Sequence, residues 1–402
     1  MKKTGLLMLS GALLVAGLTS CGGSKSTITT INFKHREGTG TKENPTWIKQ
    51  AAARFEAAHA EDSFEEGKKG VKINVTNGDI NYDSMASEGF DIFLDETDFD
   101  AYKYRANMLD LSDVMNPIKD KFNAEALKRS YGLPHFQWFP GVTYDIDYFN
   151  EINAWFADPI VTNPNEYSSK YSSTGSFKFV ANSTDKKSVG PDGVADTSDD
   201  GLPSSLEELC GLCDYITSRG GHPFNLAGSG SAYGWYLVMG LWASLSGTEE
   251  INTLFCKYSD KEIEVVTDIP DNGEDLFYSG SGIKAPTTEK IKITDENGYK
   301  MRDMANRYYA ISFLKLAYNE GWFSEDFVGK KNNPNQSANA AQKLFITSPT
   351  GNNRYGMLYD ASYWYHEDKA DIDAYQKTHD KRNVAFMPLP TTFKGQVEAG
   401  GG

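Results

Sequence analysis

Hydrophobic and polar positions fall into blocks along this 402-residue chain, and most blocks have a readable period. The first is an apolar run from Gly5 to Leu18 behind Lys2 and Lys3. It has the length of a signal-peptide core and is short for a membrane span, and no other stretch approaches about 18 consecutive apolar residues. Ile31 to Lys34 (INFK) then predicts a short strand. Asn44-Pro45 supplies an N-cap and a first helical position. Behind it Trp47, Ala51, Phe55 and Ala58 recur at spacings of three and four, which predicts one buried helix face. Val71 to Val75 alternates as a strand does, and Asp91 to Leu94 is another strand, ending in the acidic loop Asp95-Glu96-Thr97-Asp98.

Further along, Pro140-Gly141 interrupts the run from Trp138 to Tyr144, which predicts a first connection between two lobes. Residues 163–203 are rich in Ser, Asp and Gly and predict a polar surface insertion. Ser204 with Glu207 forms a capping-box pattern ahead of the stripe Leu206, Leu209, Cys210, Cys213 and Ile216. Residues 261–299 hold IEVV and KIKI between turn residues, a small strand-rich excursion. A long helix follows from about Ala305 to Glu320, with Tyr309, Phe313, Leu316 and Ala317 inward, and Gly356 to Asp360 reads as a strand. Strands alternating with helices predict α/β architecture with a largely parallel sheet. Ligands in such sheets sit beyond the carboxyl ends of the strands, which singles out His35-Arg36-Glu37, the acids Asp95, Glu96 and Asp98, and Asp360.

Charge narrows the function classes. With 55 acidic against 40 basic residues the net charge is −15, and loss of a signal containing two lysines and no acid makes it more negative still. Such a surface repels phosphate backbones and anionic headgroups, so nucleic-acid binding is not expected. Four cysteines do not make a disulfide scaffold. Leu18-Thr19-Ser20-Cys21 looks like a bacterial lipobox, which predicts cleavage after residue 20 and lipidation of Cys21, with 21–30 as a flexible tether.

Cys210-Gly-Leu-Cys213 matches the bare C-x-x-C pattern but lies on an apolar helix stripe, which favours packing over redox chemistry. Asp192, Asp196, Asp199 and Asp200 surround glycines as a weak calcium candidate, without the EF-hand spacing. No zinc spacing, phosphate loop or nucleophile elbow is present, and no cofactor is expected. Three aromatic clusters stand at loop or connection positions: Trp138-Phe139 with Tyr144, Tyr233-Gly-Trp235-Tyr236, and Tyr363-Trp364-Tyr365. Aromatic 13% is high, and rings beside carboxylates and amides suit the CH faces and hydroxyls of sugars.

Many short segments from Ile31 onward resemble the extracellular solute-binding proteins of bacterial ABC importers, in the carbohydrate class that includes maltodextrin-binding proteins. They include WIKQAAARFEAA (47–58) followed by VKINV, DIFLDETDFDAYKYRANMLDL (91–111), Phe139 to Tyr144, Pro203 to Leu209, Lys315 to Val328, Gln342 to Ile346, Gly356 to Tyr365, and Phe386 to Pro390 with Phe393 to Gln396. The resemblance implies a two-lobed periplasmic-binding-protein-like (class II) α/β fold, each lobe a sheet flanked by helices, with a hinge and an interlobe cleft. Lobe 1 is expected over 31–138, lobe 2 over 139–385, and a return crossing to lobe 1 over 386–402. The resemblance places Tyr233 at a sugar-stacking tyrosine, Tyr363 and Trp364 at a sugar-stacking tryptophan, and Asp95 to Asp98 at hydroxyl-binding acids. It further implies a non-enzymatic monomer that hands a sugar to membrane permease subunits. The family continues beyond the crossing, so a truncated chain with a bare apolar patch is expected. An extracellular glycoside hydrolase, or a binder of polyamines or peptides, are the alternatives.

Overall fold

In a computed structural model of the protein, the described residues are 27–36, 46–95, 103–121, 131–132, 139–228, 232–254, 258, 261–323, 327, 337–348, 354–379, 381–394 and 396–397. The stretch expected to be a signal segment, Cys21, Glu37, Glu96, Asp98 and Trp138 lie outside them. The chain divides into two units, Met1–His135 and Phe136–Gly402.

The first unit is built on β1 (Thr29–His35), α1 (Thr46–Ala58), β2 (Val71–Asn77), β3 (Ile92–Leu94) and the short α2 (Ser112–Met115). Its sheet is parallel, in the order β2-β1-β3, with Phe33 opposite both Val75 and Ile92. The predicted inward face of α1 is wrong. Ile48 is buried and Ala51 and Ala52 are half-buried, whereas Trp47, Phe55 and Ala58 are exposed. Glu56 explains the rotation. Its Oε1 accepts the edge amide of Ile73 at 2.8 Å and its Oε2 accepts a bond from Lys72 at 3.0 Å. The row Ile48–Ala52–Glu56 therefore faces the sheet. Phe55 turns outward onto His59 and Phe64, with ring centroids at 4.3 and 6.4 Å.

The second unit runs β4 (Pro140–Asp145), α3 (Ile146–Ile152), β5 (Asn165–Ser168), β6 (Ser176–Phe179), α4 (Leu206–Ser218), β7 (His222–Asn225), α5 (Ala232–Leu254), β8 (Ile263–Asp268), β9 (Thr287–Ile291), α6 (Ala305–Asn319), α7 (Ala338–Thr347), β10 (Tyr355–Ala361), α8 (Trp364–Glu367), α9 (Lys369–Gln376), β11 (Val384–Met387), β12 (Thr392–Phe393) and β13 (Gln396–Val397). Its main sheet has the order β11-β4-β10-β7. β10 and β7 are parallel, but β4 runs against both of its neighbours, so this sheet is mixed. Helices flank it; a large core gathers Phe149, Phe224, Leu241, Phe313 and Tyr359 among others, and a smaller one gathers Phe345, Leu358, Trp364 and Ile372.

Three expectations change here. Residues 163–203 are a folded layer. Tyr167, Phe177 and Phe179 share one face of the β5–β6 hairpin, and Phe179 stacks on Tyr215 at 4.1 Å. A polar average conceals this alternating face. The helix cap sits one residue later than predicted. Ser205 Oγ accepts from the Glu208 amide, and Glu208 reaches back to the amides of Ser204 and Ser205. Finally, the chain from 386 to 394 does not leave the second unit: β11 pairs with β4, the Thr391 amide bonds Ser204 O, and Phe393 is buried against Tyr309 and Phe277.

Predicted core positions hold elsewhere. Leu206, Leu209, Cys210, Cys213 and Ile216 are fully buried, as are Phe313, Leu316 and Ala317 on α6. The two free thiols are pushed well up by burial, which makes them poor nucleophiles. Gly211 between them has a packing role, since a Cβ there would stand 2.2 Å from the Phe177 ring. α5 is broken at Gly247, whose φ of 66° lies in the left-handed region that favours glycine. Among the described residues no helix is long and apolar enough to cross a membrane.

A buried ion cluster holds the amino end of β10. Asp145 Oδ2 accepts from Arg354 Nε and Nη2 (3.0 and 2.7 Å) and from Arg382 Nη1 (2.7 Å). Asp145 Oδ1 caps α3 through the Tyr148 amide at 3.0 Å. Arg354 Nη1 also reaches Glu151 at 3.1 Å, and Arg382 donates to the Ser348 carbonyl.

Candidate functional site

The carboxyl end of β10 gathers a cluster of carboxyl, amide and tyrosine side chains. β10 is a central strand buried on both faces, and it delivers Asp360 to that end, 1% exposed. Asp360 Oδ1 accepts the Ala361 amide at 2.7 Å, and Oδ2 accepts Gln342 Nε2 at 3.0 Å. The Tyr233 hydroxyl lies close enough to the same carboxyl to help hold its charge. Gln342 is carried inward by α7, whose N-cap Ser337 accepts from the Ala340 amide. Its Nε2 also donates to Glu367 Oε2 at 2.8 Å. One amide thus bridges two carboxylates, which lie no farther apart than those two bonds laid end to end. Asn225, at the end of β7, donates to the Ala341 carbonyl at 2.7 Å.

Burial pushes the Asp360 carboxyl up to about 7, and the Glu367 charge adds to the rise while the bonds from Ala361 and Gln342 and the nearby Tyr233 hydroxyl oppose it. Burial also raises Glu367 against the bond from Gln342, with Asp368 adding to it. Asp368 is raised by burial and by Asp371, and Lys343 works the other way. Tyr233 is raised by burial and then by the charges of Asp360, Glu367 and Tyr363, which places that tyrosine in the same cluster. Tyr236 stands edge-on to Tyr233 at 6.0 Å, and its carbonyl accepts the Tyr359 hydroxyl. At the same end of the sheet, Phe139 and Phe386 are exposed with ring centroids 5.9 Å apart.

Three sequence candidates therefore come together: Tyr233, Asp360 and Tyr363. Two do not. Trp364 is 2% exposed, donates through Nε1 to Thr143 Oγ1 at 3.0 Å and packs on Phe345, so it is a core residue with no free face. Trp235 lies two residues from Tyr233, about 200° around the helix. It faces Arg307 of α6, whose guanidinium is 5.9 Å from its ring.

In the first unit His35 is fully buried at the end of β1, and neither ring nitrogen has a partner among the described residues. Arg36 pairs with Asp79 at 3.2 Å on the surface, and Asp95 directly follows β3. The calcium candidates close their own loop instead. Asp192 Oδ1, Asp199 Oδ2 and Asp200 Oδ2 accept the amides of Val194, Asp192 and Asp196, respectively. Among the described residues no three His, Cys, Asp or Glu side chains stand together as a metal site. Asp192 and Asp199 border a cavity of about 520 Å³ with Gly247, Ile251 and Leu389.

No family model and no curated protein matches the chain. Solved structures do match. A chitin oligosaccharide binding protein is 13% identical with a TM-score of 0.48, covering 91% of this chain and 68% of its own. RafE, from Streptococcus pneumoniae, in complex with raffinose gives 14% and 0.46, with coverages of 91% and 69%. The Thermus thermophilus maltotriose binding protein gives 15% and 0.42, with 90% and 67%.

Gln342, Glu367 and Asn225 are the site residues that sequence reasoning missed. Gln342 left a usable signal. It is a polar residue inside the apolar row Ala341, Phe345 and Ile346, and a polar side chain in a core position wants a specific partner. Glu367 and Asn225 left none, because charged and amide residues near strand and helix ends are commonplace.

Proposed function

We propose that the protein is a lipid-anchored substrate-binding subunit of an ABC importer that captures an oligosaccharide or related sugar. In this proposal hinged closure of two lobes holds the sugar, a membrane permease receives it, and no bond in it is broken. The observation that carries the proposal is the cluster at the carboxyl end of β10. There Tyr233, Tyr236 and Tyr363 stand beside Asp360, Glu367 and Gln342. Tyrosine rings offer faces to sugar CH groups, and carboxylates accept from hydroxyls. The lipobox-like Leu18 to Cys21 and the family-like segments support the anchoring and transport parts.

A glycoside hydrolase would use two carboxylates flanking the scissile bond, one with a raised pKa. Asp360 and Glu367 are close enough and raised enough. Yet Asp360 is buried with both oxygens already accepting bonds, which suits it to holding Tyr233 and Gln342 in place.

A thermal-shift survey of the mature protein against mono- and oligosaccharides tests the proposal. A sugar at 100 times its Kd adds about 2.7 kcal/mol of stability. No shift with any sugar, alongside a shift with peptides or linear polyamines, refutes it. Radiolabelled fatty acid should enter the wild-type protein and not Cys21→Ser.

A further inference from the structure

Among the described residues, the cluster at the carboxyl end of β10 is rich in acceptors and poor in positive charge. Asp360, Glu367 and Asp368 act on one another electrostatically in a chain, and each is held above its usual range by burial. The basic residues on the adjoining helices are occupied elsewhere: Lys343 pairs with Asp371 at 3.0 Å and Lys369 with Asp373 at 2.8 Å. His366, the basic side chain of α8, is exposed, and Tyr365 packs edge-on against Trp364. Buried acceptors are also left over. Among the described residues Gln342 Oε1 and Asp368 Oδ2 take no hydrogen bond, although both side chains are more than nine-tenths buried. Glu367 is only half-buried, and just one of its oxygens accepts from Gln342.

Packed carboxylates without a counter-charge destabilise a fold, and they fit a site whose missing charge arrives with the ligand. A divalent metal does not suit this place, because the Gln342 NH2 group stands between the two carboxylates and presents its hydrogens there. An organic ammonium at the outer side of Glu367 meets no such obstacle. It donates up to three hydrogen bonds and needs acceptors only.

We infer that the solute taken by this site carries a protonated amine as well as hydroxyls, so that it is an amino sugar in place of a neutral one, with the ammonium seated against Glu367. The inference rests on the sugar-binding proposal and narrows it. The Tyr233 and Tyr363 rings supply the apolar wall, and Asp368 deepens the negative potential behind Glu367.

Titration calorimetry on the full mature chain at pH 7 tests it with the β-1,4-linked glucosamine disaccharide and its di-N-acetyl form. The two differ in charge at the same positions. A charge-assisted bond in a half-buried site predicts that the amine form binds about tenfold tighter or more. Added salt should shrink that preference. Glu367→Gln should bring the amine form down to the affinity of the acetylated one, and Asp368→Asn should remove part of the gap. Thermal melts check that both variants fold. Equal affinities in the wild type, or a preference that survives both substitutions, overturn the inference and leave the sugar-binding proposal standing. So does binding of another neutral sugar when neither disaccharide binds. Silence across the whole sugar panel overturns both.

Discussion

Replacing Asp145 by Asn should destabilise the second unit severely while leaving its shape intact. The carboxylate is 1% exposed and is the shared acceptor of two arginines, whose side chains are 3% and 6% exposed. Asn keeps an oxygen for the α3 cap but removes the charge. Among the described residues Arg354 then retains Glu151 and the Tyr148 ring, and Arg382 retains the Ser348 carbonyl. Breaking a buried pair by removing one partner costs about 3–5 kcal/mol, because an uncompensated charge stays inside. Against a typical net stability of about 5–15 kcal/mol this is a large fraction. Asp145→Ala also loses the helix cap, about 1 kcal/mol more. Glu151→Ala is the control. Its pair with Arg354 is 42% exposed on the glutamate side, and exposed pairs contribute about 0–1 kcal/mol. Urea unfolding followed by circular dichroism measures all three, with unchanged slopes required for a clean comparison. A cost below about 1 kcal/mol for Asp145→Asn, or an equal cost for Glu151→Ala, would refute the account.

Other consequences are open to measurement. An acid whose folded pKa lies above its unfolded one holds extra protons in the native state. Asp360, raised to about 7, should therefore stabilise the fold fully below the ordinary carboxylate range and lose that contribution as pH rises through about 7. The slope is at most about 1.4 kcal/mol per pH unit, and Asp360→Asn should flatten it; parallel urea midpoints for the two proteins between pH 4.5 and 7.5 would contradict this. Gly211→Ala should cost about 1–3 kcal/mol through the Phe177 ring, and Phe177→Ala should relieve part of that cost in a double-mutant cycle. Strict additivity of the two would mean that the contact is not the cause. Cys210 and Cys213 should resist thiol reagents in the native protein and react on unfolding, as peptide mapping by mass spectrometry would show; rapid native labelling would be incompatible with their burial.

Legibility in the sequence followed the strength of the period. α6 was readable to within a residue because Tyr309, Phe313, Leu316 and Ala317 all face one core. α4 was readable because a capping box and five buried positions agree, and the one-residue slip arose from two serines in a row. α1 failed because two stripes compete on it. The larger side chains, Trp47 and Phe55, point out, and the choice was made by a single carboxylate, Glu56, binding a strand edge. Such a long-range bond has no local signature. At the candidate site, strand-end and aromatic position name Asp360 and Tyr233, which the structure places together, whereas Trp364 turns into the core, because nearness in sequence says nothing about which way a ring turns. The Thr143 hydroxyl that draws it inward lies 221 residues away.

The position of β4 has a consequence for how the molecule is made. It is an interior strand, yet its two sheet neighbours come far later in the chain, and the arginines that neutralise Asp145 lie 209 and 237 residues downstream. A ribosome must therefore synthesise almost the whole second unit before this strand can be flanked. Contacts of such long sequence separation form slowly. Until then Tyr144 can pack on sequence-near rings such as Phe149 and Trp155, but both hydrogen-bonding edges of the strand stay open.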